Sequence, residues 1–137
     1  MDEKMISDLR MKSRAHWKKI VEKYGSGEKG TVLDFKDFLQ GRQAASVTLH
    51  GCSVELPVHR QNFIEFIYAY EGRIVTEIDG KELVQEKGDI LLMNQYVEHR
   101  VKPTDNENEA LILAALPDFF EKPLEMMKKQ SLITDFL

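Results

Sequence analysis

The sequence predicts a mainly β domain, an antiparallel barrel or sandwich, with one helix before it and helical segments after it. Three observations carry this expectation. From Ala45 onwards, short runs rich in Val, Ile, Tyr, Phe and Thr are separated, about every eight to twelve residues, by Gly, Pro, Asp or Asn. Within that region Ile78-Asp79-Gly80-Lys81 reads as a hairpin, because Asp-Gly supplies the positive φ angles that a tight type I′ turn demands. Ahead of it, from Glu3 to Tyr24, the residues Ile6, Leu9, Trp17, Ile20 and Tyr24 fall mainly at three- and four-residue steps, the period of an amphipathic helix.

Taken in order, the first helix ends at the Gly25-Ser-Gly-Glu-Lys-Gly30 stretch, a flexible connection. The helix is therefore expected to pack as an arm, on the domain or on a partner, outside the core. Asp34 to Leu39 reads as one short helical turn. Strands are expected near Ser46 to Leu49, Ser53 to Pro57, Phe63 to Tyr70, Arg73 to Ile78, Lys81 to Val84, Asp89 to Asn94, His99 to Lys102 and Glu109 to Leu116. A second turn falls at Lys87-Gly88-Asp89. Pro117 and Asp118 then end the sheet, and Asp118 is placed to cap a helix from about Phe119 to Gln130, with Phe120, Leu124 and Met127 on one stripe and Pro123 delaying or kinking its start. Leu132, Ile133, Phe136 and Leu137 continue the apolar content to the last residue, the pattern of a chain that goes on into a further domain. This divides the sequence into an arm and linker at 1–30, the β domain at 31–117 and a helical segment at 118–137.

Composition narrows the function. The chain has 137 residues, 42% of them hydrophobic, enough for one ordinary domain with a real core. Charged residues are 31% of the total and spread evenly, for a net charge of -4. That balance argues against a nucleic-acid or anionic-membrane surface on this part of the chain. A single cysteine, Cys52, makes no internal disulfide, and the opening Met-Asp-Glu-Lys is not a secretory signal. A reducing cytoplasm is the expected location. No apolar stretch approaches the roughly 20 residues of a spanning helix. Cys52 has no basic neighbour and reads as a small packing side chain.

Two motifs carry the chemistry. His59-Arg60-Gln61-Asn62-Phe63-Ile64-Glu65, with Gly72 beyond it, resembles the first cupin motif, in which two His one residue apart precede a Glu and then a Gly. Gln61 stands in place of the second His. Gly88 through Asn94, Tyr96 and His99 resembles the second cupin motif, with Asn94 in place of its Pro and Tyr96 in place of its Gly. In metal-binding cupins, the resemblance assigns the ligand role to the positions of His59, Gln61, Glu65 and His99. Alternation along one extended strand would turn residues 59, 61 and 65 to one face, and His99 lies between Val97 and Val101 on its own. Such a set suits zinc, iron or manganese. Without a metal, the same four residues line a ligand pocket. An inward Glu65 then needs a donor or cation, and Arg60 and Arg73 are the candidates.

The runs Phe63 to Gly72, Ile78 to Leu83 and Glu86 to Leu92, followed by Pro117 to Glu121 and Ser131 to Leu137, resemble the sensor domain of AraC-type bacterial transcription regulators. That domain is a cupin barrel, a double-stranded β-helix or jelly roll. The resemblance covers roughly residues 30 to 137 and implies a small-molecule effector such as a sugar or sugar derivative, bound by His59, Gln61, Glu65 and His99 with no catalysis and no cofactor required. It further implies a homodimer, with Phe120, Leu124, Met127 and Leu132 as interface or as core packing, and DNA contact only through a further C-terminal domain. Phe66, Tyr68 and Tyr70, on the face opposite Glu65, are expected to pack under the C-terminal helix. The rival expectation is a metal-dependent cupin enzyme, a dioxygenase, isomerase or decarboxylase, with the same four residues around the metal.

Overall fold

The computed structural model describes residues 2–28, 30–38, 44–51, 54–105 and 107–120. Among them a long helix, α1 (Glu3–Tyr24), precedes nine strands: β1 (Thr31–Leu33), β2 (Ala45–Gly51), β3 (His59–Gln61), β4 (Ile64–Glu71), β5 (Ile74–Ile78), β6 (Lys81–Gln85), β7 (Ile90–Met93), β8 (His99–Val101) and β9 (Glu109–Ala115). Short 3-10 turns lie at Phe35–Asp37 and Pro117–Phe120. The strands form two sheets, β1-β3-β8-β5-β6 and β2-β9-β4-β7, facing each other across one core as a jelly-roll barrel.

Local chemistry accounts for the elements. The carboxylate of Asp2 accepts from the N–H of Met5 at 2.8 Å and caps α1, and the N–H of Gly25 donates to the carbonyl of Val21 at the other end. Asp79 (φ 50°) and Gly80 (φ 79°) make the tight turn between β5 and β6, with Ile78 paired to Lys81, as the Asp-Gly pair predicts. In the four-stranded sheet Glu65, Ile67 and Ala69 of β4 stand opposite Ala114, Ile112 and Ala110 of β9, all buried on the inner face.

Four expectations are corrected. First, α1 is no arm outside the core: Trp17 and Ile20 belong to the same buried cluster as Leu33, Phe38, Phe63, Ile67 and Ile112. The helix lies along β2, the outermost strand of its sheet, and the hydroxyl of Ser13 accepts from the N–H of Leu49 at 2.8 Å. An open strand edge is thereby covered, which the helical periodicity alone did not demand. Second, 59 to 65 is not one strand. The chain bends at Asn62-Phe63 and passes from one sheet to the other, with the Asn62 N–H donating to the Leu33 carbonyl and its side-chain oxygen accepting from the N–H of Phe35 at 2.7 Å. Third, residues 54–57 form no strand: the N–H of Val54 is taken by the Gly51 carbonyl at 3.2 Å, and no neighbouring strand among the described residues pairs with the segment, although Val54 and Leu56 face the core wall. Fourth, β1, unforeseen from its short sequence, pairs in parallel with β3.

The expected helix from Phe119 to Gln130, the interface residues Leu124, Met127 and Leu132, the side chain of Phe120, and Cys52 lie outside the described residues. No helix among the described residues is long and apolar enough to cross a membrane.

Candidate functional site

The motif residues meet between the two sheets. β3 and β8 are antiparallel neighbours, and His59 stands directly opposite His99. Their rings lie 4.6 Å apart, centre to centre. Each imidazole is anchored in the same way: Nδ1 of His59 donates to the Pro57 carbonyl at 2.8 Å, and Nδ1 of His99 donates to the Val97 carbonyl at 3.1 Å. Since a carbonyl only accepts, both rings carry their proton on Nδ1 and keep a lone pair on Nε2. Glu65 enters from the opposite sheet because the bend at Asn62-Phe63 moves the chain across the barrel.

These side chains line a small cavity of about 20 Å³ whose wall also includes Trp17, His50 and Ile112. Gln61, only 1% exposed, lies beside the Glu65 carboxyl behind this wall. The alternation of Ser46, Thr48 and His50 on β2 was the signal for His50, and all three are buried. Trp17 comes from α1 and stacks on the His50 ring at 4.5 Å. Sequence reading gave neither residue a place in the site.

Burial governs the electrostatics. Loss of water lowers His59 to about 4, assisted by the neighbouring His99, while the Pro57 carbonyl and Glu65 oppose the shift. His50 is likewise pushed down to about 4, first by burial. His99 is lowered for the same reason, and burial raises Glu65 against the pull of His59 and Gln61. At neutral pH the histidines are uncharged. The expected cationic partners of Glu65 are engaged elsewhere: Arg60 faces Glu98 at 3.6 Å and Arg73 binds Glu86 at 2.8 Å. Among the described residues, neither ring nitrogen of His50 has a hydrogen-bond partner, and the buried Gln61 amide has none besides the Glu65 carboxyl.

The donor set does not fit a metal centre. Anchoring one ring nitrogen on a carbonyl is how metal-ligating histidines are oriented. Yet among the described residues no three His, Cys, Asp or Glu side chains are grouped to hold a metal ion, and an amide occupies the place of one motif imidazole.

The family match agrees with this architecture. The cupin domain family matches residues 46–116. A Cupin 2 conserved barrel domain protein from Salinispora arenicola is 18% identical, with a TM-score of 0.47, over 61% of this chain and 75% of that one. The cupin domain of Schizosaccharomyces pombe Cnp3 is 14% identical, with a TM-score of 0.47, over 64% of this chain and 66% of that one. KdgF from a Halomonas species is 16% identical, with a TM-score of 0.37, over 53% and 61%. Among curated proteins, none matches the sequence. With the family match spanning more than half its length and both sheets in place, the chain belongs to the cupin family.

Proposed function

We propose that this cupin is the small-molecule-sensing and dimerisation domain of a bacterial transcription regulator of the AraC type, and that a small polar effector, such as a sugar, binds at the barrel interior. The observation that carries the reading is the pair of His50 ring nitrogens, buried in the cavity wall beside His59, Glu65 and His99 with no hydrogen bond among the described residues. Protein interiors leave few such atoms unsatisfied, and an effector rich in hydroxyls supplies both donors and acceptors. Uncharged imidazoles beside an amide suit a neutral polar molecule better than an anion.

Sensing follows from the size of the site. A cavity of about 20 Å³ accommodates one water and no sugar. Effector entry therefore requires Trp17 to withdraw, and Trp17 is carried by α1. A ligand that binds only the opened barrel shifts the population toward a displaced helix, which is the signal. For dimerisation, the support is the outer face of the four-stranded sheet, where Val47, Tyr68 and Ile90 are exposed. DNA contact would belong to a further domain. A metal-dependent enzyme is the weaker reading, because the donor set does not fit a metal.

The test is thermal unfolding of the purified chain against a panel of neutral sugars and polyols, with the fluorescence of Trp17, the protein's single tryptophan, as a second readout. At least one compound is expected to raise Tm and change the Trp17 signal in a saturable way, and His50→Leu, which changes the cavity wall itself, is expected to abolish both responses. A panel that leaves Tm unmoved, or a response that survives His50→Leu, refutes the interior site.

A further inference from the structure

A larger cavity lies elsewhere, in a groove of about 660 Å³ between α1 and the β2 edge. Its apolar lining comes from Trp17, Val21, Leu49 and Val54. Along one side, Arg10, Arg14 and Lys18 follow at four-residue steps on a single face of α1. Their charges are not equivalent. Arg10 is committed to Glu109 through two bonds of 2.8 Å, whereas neither Arg14 nor Lys18 forms an ion pair with any described residue. Trp17, only 6% exposed, carries an indole N–H that is buried without an acceptor among the described residues. The groove therefore presents an apolar floor and, beside the carboxylates of Glu22 and Glu109, two cations with no ion pair among the described residues, on a chain whose net charge is -4.

We infer that this groove binds an organic anion, a carboxylate attached to an apolar body. The carboxylate is held by Arg14 and Lys18, and the body lies on Trp17, Leu49 and Val54. The volume is that of an ordinary small-molecule site. A guanidinium and an ammonium on adjacent turns hold the two oxygens of one carboxylate, and burying the body against an indole and two aliphatic side chains supplies most of the affinity. Uncommitted positive charge next to apolar surface discriminates against neutral compounds of the same shape. This goes beyond the interior site proposed above and does not depend on it. Trp17 is the wall common to both cavities, so occupancy of the groove holds α1 on the barrel and opposes its displacement.

The experiment is a titration of the full chain with 4-phenylbutyrate and, in parallel, with its neutral amide, followed by Trp17 fluorescence and by amide proton shifts at Gly51 and Val54. Saturable binding of the carboxylate in the millimolar range or tighter is expected, with the amide binding about tenfold more weakly. Arg14→Gln combined with Lys18→Gln is expected to remove the preference. Both side chains are exposed, so the variant should keep the wild-type melting curve. The inference is overturned if the carboxylate shows no saturable response, or if it and the amide bind equally. It is also overturned if the double variant keeps the wild-type preference for the carboxylate. A failure of the sugar panel leaves these outcomes untouched, so the two ideas fall separately.

Discussion

Single residues in this protein matter most where a side chain has no alternative arrangement. Gly72 has a φ of 69°, and a Cβ there would run into the Asn108 side chain, whose oxygen accepts from the N–H of Arg73 at 3.0 Å. Gly72→Ala is expected to destabilise the fold by roughly 1–3 kcal/mol, read from the urea midpoint, because it combines backbone strain with a displaced acceptor. His50 provides a pH test. Its pKa falls from the ordinary 6.5 to about 4 on folding, so between these values the unfolded chain binds the proton and the folded chain does not. The contribution is present above pH 6.5 and is lost as pH falls toward 4, at about 1.4 kcal/mol per pH unit. Glu65 works in the opposite sense: its raised pKa favours the folded state at low pH and that stability is lost as pH rises. In His50→Gln, the slope of stability against pH across that window is expected to flatten. Urea titrations at several pH values measure it, and an unchanged slope would place the titration on another group.

At the scale of elements, α1 is the part whose role depends on its neighbours. Its buried face includes two polar residues, Ser13 and His16, which blur the helical stripe in the sequence. Ser13 is explained by the strand edge it satisfies: Ser13→Ala leaves the buried N–H of Leu49 without a partner and is expected to cost about 1–3 kcal/mol. Trp17→Ala removes the wall between groove and cavity and is expected to cost about 3–5 kcal/mol, seen as a lower Tm. If Trp17 also gates the interior, the same variant binds a stabilising sugar more tightly than wild type does. A variant that loses stability without gaining affinity would make Trp17 a packing residue alone.

For the whole molecule, the question is what covers the outer face of the four-stranded sheet. Cross-strand rows there run through Val47, Leu113, Phe66 and Leu92, and through Leu111, Tyr68 and Ile90. Ile90 is 66% exposed, in contrast to the closed inner face. Contiguous apolar surface of this kind marks an interface. The chain is expected to sediment as a dimer, and Tyr68→Lys with Ile90→Lys is expected to shift it to monomer without unfolding it; sedimentation equilibrium decides. Elemental analysis after purification without chelators is expected to find well under one transition metal per chain, in accord with the incomplete donor set.

The sequence by itself determined the barrel, most of its strands from β4 onwards, the hairpin at Asp79-Gly80 and the identity of His59, Glu65 and His99 as inward residues. Those are local properties: alternation of period two, turn residues that demand positive φ, and a motif whose spacing is written along the chain. The tertiary structure alone decided that Gln61 stands behind the cavity wall, that His50 and Trp17 complete that wall, and that α1 closes a strand edge. Each of these depends on residues far apart in the chain meeting across the barrel. The bend at Asn62-Phe63 illustrates why: burial alternates from His59 to Phe63 as it would in one strand, and only Ile64, buried between Phe63 and Glu65, breaks the pattern. The change of sheet is decided by the hydrogen bonds that Asn62 makes to Leu33 and Phe35, residues whose nearness no local pattern records.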